Sequence, residues 1–382
     1  MSQLHDILDP HVRAGNLPGA VALVATGDDA EVTVAGRRGI DGVPMTRETI
    51  FRISSMTKPI TAAAVMLLVD QGVFALDDPV APWLPELASP RVLRTPSSPI
   101  DDVVPADRPI TVHDLLTSRG GHGLPSDFTL PVVGLLVGEL GQGPPAPQQV
   151  AAPDEWMTAL STIPLLHHPG EGWLYNTSSD IQGVLVARTT GRPFDEFLAE
   201  RVFGPLGMVD TGFHVPADKV DRFAEYYRTD PDHGLSVADR RDGEWSSPPA
   251  FPSGAGGLVS TVDDWWAFAR MLLAGGTVGD RALLSGTSVE LMMTDHLTEA
   301  QRASARLFLG GQGWGFGGSV DLEATDSWNV PGRYGWVGGT GTAAHVIPAS
   351  HTTTVLLTQV GMTDPAPPAL MREFWAHAAT MA

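Results

Sequence analysis

The chain has 382 residues, a formal net charge of −20 and no cysteine. This length exceeds what a single hydrophobic core usually holds, so we expect two lobes, or one large domain with an insertion. The absence of cysteine excludes disulfides, thiolate nucleophiles and cysteine-based metal sites. Lysine and arginine form no cluster of the kind that binds phosphates, so nucleic acid and anionic membranes are not expected as partners.

The start of the chain, MSQLHDILDPHVRAG, has no basic segment followed by an apolar run, and so it is unlike an export signal. No stretch of about 18 uninterrupted apolar residues occurs, so no membrane span is expected. We therefore expect a soluble cytoplasmic protein. The sequence leaves its oligomeric state open.

The first predicted elements are a short amphipathic helix and a β-hairpin. Apolar residues at helical spacing predict the helix over residues 3–14. Two β-rich runs, residues 20–26 and 31–36, flank a Gly-Asp-Asp turn and predict the hairpin. A mostly apolar segment then predicts a buried helix over residues 60–73, whereas residues 84–109 are rich in Pro, Ser and Asp and are predicted to be irregular.

Residues 123–155 combine many Gly and Pro with apolar side chains, which predicts a long loop. Long loops inside compact proteins are unusual and are often functional. This one would be either a lid over a pocket or an insertion packed on the surface. Elsewhere in the middle of the chain, a capping threonine opens a predicted helix at 111–116, and residues 179–200 and 262–274 have helical periodicity.

Strand patterns return toward the C-terminal end, at residues 313–317, 332–337, 343–347 and 352–360, before a final helix over 368–380. Because strands lie at both ends of the chain and helices in its middle, we predict an α+β fold. One antiparallel sheet, flanked by the terminal helices, would form a lobe from residues 1–75 and 255–382. Residues 76–254 would form a second, mainly helical lobe.

The most informative local motif is Ser-x-x-Lys in FRISSMTKPI, where Ser55 and Lys58 precede the buried helix. Positions i and i+3 share a helix face, so the Lys58 amine can reach the Ser55 hydroxyl. A serine becomes a strong nucleophile when a base takes its proton, and a lysine can be that base where burial or a nearby cation lowers its pKa. Backbone N–H groups at a helix start can stabilise an oxyanion. The residues alone also allow a simpler interpretation, a helix cap followed by a surface lysine.

The segment FRISSMTKPITAAAVMLLVDQG resembles the nucleophile segment of the serine β-lactamase and penicillin-binding protein superfamily. It is most similar to the class C-like branch and to its esterases, the family VIII carboxylesterases. Further motifs follow in the family's order: ITVHDLLTSRGG (110–121), PGEGWLYNTSSD (169–180), VFGPLGMVDT (202–211), GGLVST (256–261) and GWVGGTGT (335–342). The resemblance extends over residues 20–350 and implies a β-lactamase-like fold.

The resemblance implies that Ser55, Lys58 and Tyr175 are catalytic, with Tyr175 carrying a proton between the nucleophile and the leaving group. It also implies an oxyanion hole formed by the backbone N–H groups of Ser55 and Gly339. A backbone donor tolerates any side chain, so this role does not depend on the residue type. Which of Lys58 and Tyr175 is the base stays open, because the two would titrate as a coupled pair.

Two positions depart from the family's pattern. The family's Tyr-x-Asn places asparagine at position 177, where this chain has Thr177, so either Thr177 or its neighbour Asn176 would contact substrate or the lysine. On the late strand the superfamily has Lys-Thr-Gly or His-Thr-Gly, and this chain has Trp336, Val337 and Gly338, which we expect to line the substrate site. A cation there would pair with the carboxylate of a β-lactam or of a peptide terminus, whereas tryptophan offers an apolar wall or one N–H donor.

These residues predict a serine carboxylesterase that hydrolyses small neutral esters through an acyl-enzyme, without cofactor or metal. A β-lactamase, a D-amino-acid peptidase or an acyltransferase would use the same machinery. A non-catalytic binding protein with this fold would not need Ser55, Lys58 and Tyr175, and all three are present. The sequence contains no Gly-x-Ser-x-Gly elbow, no His-Glu-x-x-His and no phosphate-binding loop motif.

Overall fold

The sheet predicted from the two ends of the chain is present in a computed structural model, which describes residues 3–230, 232 and 234–381. In chain order the strands are β1 (Gly19–Thr26), β2 (Asp29–Gly36), β3 (Phe51–Arg52), β4 (Arg91–Leu93), β5 (Val103–Pro105), β6 (Tyr226–Asp230), β7 (Gly234–Asp239), β8 (Val259–Ser260), β9 (Thr277–Val278), β10 (Arg281–Ala282), β11 (Gly313–Trp314), β12 (Ser319–Val320), β13 (Tyr334–Gly338), β14 (Thr342–Ile347) and β15 (Thr352–Thr358). Within the described residues the large sheet has seven antiparallel strands in the order β11-β12-β13-β14-β15-β1-β2. The predicted α+β class is confirmed.

The helices, in chain order, are α1 (Gln3–Arg13), α2 (Thr57–Asp70), α3 (Val112–Leu116), α4 (Pro131–Leu140), α5 (Pro153–Thr162), α6 (Thr177–Thr190), α7 (Phe194–Leu198), α8 (Gly204–Leu206), α9 (Val262–Leu273), α10 (Gly286–Met292), α11 (Glu299–Ser304), α12 (Arg306–Leu309) and α13 (Ala369–Ala379). A 3-10 turn, Ser54–Met56, directly precedes α2. Across the described ranges, no helix is both long and apolar enough to cross a membrane.

Strand β1 lies inside the sheet because its sequence, GAVALVAT, is apolar on both faces. Ala20, Ala22 and Val24 pack against the terminal helices α1 and α13. The alternate residues Val21 and Leu23 face the main core, which contains α2 and α9. Strand β2 is one of the two edge strands and is only partly buried. Apolar patterning at the two ends of the chain therefore builds the sheet, and the sheet in turn supports α2.

Helix α2 begins three residues earlier than predicted and ends at Asp70 rather than at residue 73. Every residue from Thr57 to Leu68 is buried, including Lys58. The interpretation of Lys58 as a surface lysine is therefore wrong. A buried amine next to a serine hydroxyl is instead the arrangement that nucleophile activation requires.

The prediction of one loop over residues 123–155 is wrong in part, because α4 occupies residues 131–140. Its proline stands at the first helical position and Gly141 caps its end in the left-handed conformation (φ +63°). Proline at the start and glycine just past the end are typical of helix boundaries, although both residues are also common in loops. Val132, Val133 and Leu136 bury its inner face.

Other predictions need smaller corrections. The irregular segment 84–109 contains the short hairpin β4–β5. The helix predicted over 179–200 begins at Thr177 and is interrupted at Gly191, which has a positive φ and is followed by a proline two residues later. The hairpin β6–β7 and the helices α10 to α12 were not predicted, because their segments are short and mixed in polarity. The division into lobes at residues 75 and 254 stays a prediction.

Candidate active site

Ser55 lies in the 3-10 turn between β3 and α2. The preceding residue, Ser54, has φ +46°, a backbone conformation that residues other than glycine rarely adopt. The Thr57 hydroxyl stabilises this strained turn by donating to the Ser54 carbonyl at 2.6 Å. The Leu258 N–H donates to the same hydroxyl at 3.2 Å. Backbone strain of this kind occurs where surrounding contacts hold a functional side chain in place.

The Lys58 amine lies at the centre of the predicted site. Its Nζ lies 3.0 Å from Ser55 Oγ, and it donates to Asn176 Oδ1 at 2.8 Å and to the Ala255 carbonyl at 2.6 Å. Only 1% of Lys58 is exposed. Burial lowers the pKa of Lys58, and the nearby Tyr175 and Asp180 oppose this shift. The neutral amine, which can accept a proton from Ser55, therefore forms at a lower pH than in a free lysine.

Tyr175 is the second group on the nucleophile. Its phenol OH donates to Ser55 Oγ at 2.8 Å, and Lys58 Nζ lies 4.5 Å from its ring centre. Paired backbone hydrogen bonds with Leu124 fix its main chain. The ring stacks on Phe308 with the centroids 4.6 Å apart. Ser55 Oγ is thus within hydrogen-bonding distance of both the Lys58 amine and the Tyr175 phenol, as predicted for these three residues.

The structure brings Asn176, and not Thr177, to the lysine. Asn176 has φ +80° and ψ −68°, and the Thr177 N–H donates to the Tyr175 carbonyl at 3.1 Å, which together define a strained γ-turn. This turn aims the Asn176 side chain at Lys58. Thr177 is fully buried and its hydroxyl donates to Gln142 Oε1. Asn176 lines the cleft, whereas Thr177 lies behind it.

Trp336 contacts the tyrosine as well as the cleft. Its indole Nε1 donates to the Tyr175 phenol oxygen at 2.8 Å. The next residue, Val337, also lines the cleft and is half-buried. Where the superfamily has a cationic side chain, this chain therefore has a neutral N–H donor, which is hydrogen-bonded to Tyr175.

Gly338 and Gly339 have different surroundings. A Cβ at Gly338 would overlap the Ile53 carbonyl oxygen and the Thr342 hydroxyl, so only glycine lets β13 lie this close to the nucleophile segment. At Gly339 the nearest atom to a Cβ is Ser54 Oγ, 3.9 Å away. Gly339 lines the cleft together with Ser55. Gly338 thus brings the strand close to the segment that carries Ser55, and the oxyanion role of Gly339 stays a prediction.

The cleft in front of Ser55 has a volume of about 450 Å³. Its walls are mainly apolar and include Leu124, Phe308 and Met362. The charged residues that line it are Arg228 and Asp364, both exposed. Among the described residues, no three His, Asp or Glu side chains are grouped so as to hold a metal ion.

Three polar partners of the site were not predicted from the sequence. They are the Gln142 amide, the Asp180 carboxylate and the Ala255 carbonyl, which lie behind Lys58 and Asn176. Asp180 gives the one usable signal, because it is an acidic residue at the start of the mostly apolar helix segment DIQGVLVA. Gln142 follows α4 in a segment whose contacts cannot be inferred from spacing.

Several known proteins share sequence or fold with this chain. The profile of the family described as Beta-lactamase matches residues 4–376. The chain is 41% identical over 342 residues to Protein Rv1367c of Mycobacterium tuberculosis, covering 86% of this chain and 82% of that protein. It is 35% identical over 285 residues to Esterase EstB of Burkholderia gladioli, covering 69% and 67%.

The structure of simvastatin synthase LovD from Aspergillus terreus superposes with a TM-score of 0.80 at 23% identity, over 99% of this chain and 97% of that one. At this identity the likeness concerns the fold alone. Together the fold, the family profile and the relatives define the class: a serine hydrolase with a β-lactamase-like fold. The chain belongs to the beta-lactamase family, and its chemistry is of the esterase type that proceeds through an acyl-enzyme.

Proposed function

We propose that this protein is a carboxylesterase of the family VIII kind, which hydrolyses small neutral esters through an acyl-enzyme on Ser55. The observation that carries the proposal is the hydrogen bond from Trp336 Nε1 to the Tyr175 oxygen. A cation at position 336 would favour substrates with a carboxylate. The indole instead leaves a neutral wall on the cleft, and the similarity to an esterase points the same way.

In the first step Ser55 Oγ attacks the ester carbonyl and its proton passes to the Lys58–Tyr175 pair. Because burial lowers the pKa of Lys58, the neutral amine that accepts this proton forms at a lower pH than in a free lysine. The carbonyl oxygen becomes an oxyanion, which the N–H groups of Ser55 and Gly339 stabilise. The Trp336 N–H stabilises negative charge that develops on the Tyr175 oxygen.

In the second step the tetrahedral intermediate collapses. The bond from carbonyl carbon to alkoxide oxygen breaks, and the leaving alcohol takes the proton held by Tyr175 or Lys58. Water then attacks the acyl-enzyme with the same groups acting in reverse, which releases the acid and restores Ser55. Another alcohol in place of water would give acyl transfer, so an acyltransferase differs only in its acceptor.

The test compares short and medium p-nitrophenyl esters with a chromogenic cephalosporin. We expect ester turnover that Ser55→Ala abolishes, and a mass increase at Ser55 after treatment with a fluorophosphonate. Rapid cephalosporin turnover without ester hydrolysis would overturn the proposed substrate class. Ester hydrolysis that survives in Ser55→Ala would overturn the mechanism.

One feature favours a second activity, turnover of acyl donors that carry a carboxylate. Arg228 is exposed and lines the same cleft as Ser55. Its guanidinium could pair with a carboxylate in place of the missing cation at position 336. Asp364 lines the cleft as well and opposes such binding, so we place this activity second.

A further inference from the structure

A buried carboxylate lies behind the proposed catalytic groups. Asp180 is only 3% exposed and has three hydrogen-bond donors. Its Oδ1 accepts from Ser253 Oγ at 2.6 Å and from the Ala255 N–H at 3.1 Å, and its Oδ2 accepts from Gln142 Nε2 at 2.9 Å. Burial raises the pKa of Asp180, and these three donors counteract the shift. With every donor aimed at it, the carboxylate is arranged as an acceptor.

The carboxylate determines which way two side-chain amides point. An ionised carboxylate can only accept hydrogen bonds, so the NH₂ group of Gln142 must face Asp180. Gln142 Oε1 then faces the other way, where Asn176 Nδ2 donates to it at 2.7 Å. Asn176 Oδ1 consequently faces Lys58. An amide without such a partner could adopt either orientation.

This orientation determines how Lys58 presents itself to Ser55. A neutral lysine has two N–H bonds and one lone pair. The Asn176 and Ala255 carbonyl oxygens, at 2.8 Å and 2.6 Å, take the two N–H bonds. The lone pair is left for Ser55 Oγ at 3.0 Å. Asp180 supports both acceptors, because it also holds the Ala255 N–H.

We propose that Asp180 and Gln142 are positioning residues, whose hydrogen bonds orient the Asn176 amide and so aim the Lys58 lone pair at Ser55. We call Asp180, Gln142 and Asn176 the polarity relay. The relay rests on the proposed function, since it serves proton removal from Ser55. It joins two separate parts of the chain, the segment after α4 and the γ-turn that leads into helix α6.

The experiment measures the second-order rate of Ser55 labelling by a fluorophosphonate as a function of pH, which requires no knowledge of the natural ester. Asp180→Asn keeps the shape of the side chain but lets the hydrogen bonds of the relay reverse, and Gln142→Met keeps the side-chain length but removes the hydrogen bonds to both Asp180 and Asn176. We expect each to lower the maximal labelling rate roughly tenfold to a hundredfold, the range for losing a hydrogen bond to a charged group. The labelling rate of Asn176→Gly should fall by a similar factor. Glycine suits the positive φ at this position, so this variant replaces the others in the test if they fail to fold.

The pH profile separates positioning from loss of structure. The titratable groups that act on Lys58 are Tyr175 and Asp180, and both favour its charged form. Removing the negative charge of Asp180 therefore lowers the pKa of Lys58 further, and the acid limb of the profile in Asp180→Asn should move to lower pH. A variant that is only less well folded would lose rate at every pH without this movement.

Ser253→Ala is the matched control, because it removes a donor to the same carboxylate outside the polarity relay. We expect it to lower the melting temperature while the labelling rate stays near wild type. Relay variants that label at the wild-type rate with an unmoved acid limb would overturn the proposal, and so would an equal loss in Ser253→Ala. Wild-type labelling of Ser55 without ester turnover would instead overturn the proposed function and leave the relay testable.

Discussion

The substitution Trp336→Phe tests whether the indole N–H contributes to catalysis. It keeps an aromatic ring against the cleft and removes the donor that lies 2.8 Å from the Tyr175 oxygen. A hydrogen bond to a neutral group contributes about 0.5–1.5 kcal/mol, and one to a charged group about 1.5–3 kcal/mol. If negative charge develops on the Tyr175 oxygen during proton transfer, this hydrogen bond is stronger in the transition state than in the ground state by about 1–1.5 kcal/mol. Trp336→Phe loses that additional stabilisation of the transition state. This corresponds to a fall in kcat/KM of roughly five- to tenfold.

Trp314→Phe is the matched control for this substitution. Trp314 belongs to the same aromatic cluster, with its ring centre 4.8 Å from that of Trp336. Its indole nitrogen is buried and, within the described part of the chain, has no hydrogen-bond partner. Both variants lose indole packing, but only Trp336→Phe loses a hydrogen bond to Tyr175.

The assay is steady-state hydrolysis of p-nitrophenyl butyrate, with thermal unfolding measured in parallel. We expect Trp314→Phe to keep kcat/KM close to wild type. Full activity in Trp336→Phe, or an equal loss in both variants, would refute the role of the indole N–H.

Three further predictions follow from the site. We predict that the neutral Lys58 amine acts as the base, and because burial lowers its pKa below the ordinary 10.5, kcat/KM should rise with pH through that lowered value. The free energy of unfolding should also rise with pH between the lowered value and 10.5, where the unfolded chain binds the additional proton. Lys58→Arg, which cannot lose its proton, should be inactive at every pH, and an acid limb near 10.5 in the wild type would contradict this reasoning. Gly338→Ala should abolish ester hydrolysis, because its methyl group would overlap the Ile53 carbonyl. Gly339→Ala has open space around the new methyl group and keeps its N–H, so it should retain most of the activity. Equal activity of the two variants in the ester assay would refute the idea that Gly338 is needed for β13 to approach the segment that carries Ser55. Arg228→Gln should lower the ratio of cephalosporin to p-nitrophenyl butyrate turnover by up to about fivefold, the range for an exposed ion pair, and an unchanged ratio would remove the support for the second activity.

Much of the fold could be predicted from the sequence because its patterns are local. The apolar runs of β1 and β15 and the terminal amphipathic helices define the sheet and its covering, and all are present. The segment after α3 was harder, because proline and glycine occur both in loops and at helix ends. Only the packing of Val132 and Leu136 into the core decides that residues 131–140 form a helix.

The contacts of the site likewise fall into those that local spacing predicts and those that it does not. Ser55 and Lys58 are three residues apart on one turn, so local geometry alone brings their side chains together. The choice between Asn176 and Thr177 depends on a strained γ-turn that no spacing rule predicts. The sequence indicates an unusual residue at Trp336, but not that its N–H donates to Tyr175, 161 positions away.

The sequence by itself therefore determined the sheet, and it singled out Ser55, Lys58 and Tyr175 as the residues predicted to be catalytic. Only the tertiary structure decided the hydrogen bonds around these residues. One example is the hydrogen bond between Gln142 and Asp180, which are 38 residues apart. The physical reason is one of range. Periodicity and i, i+3 spacing act within a few residues along the chain, whereas the partner of a buried polar group depends on which distant segments fold together around it.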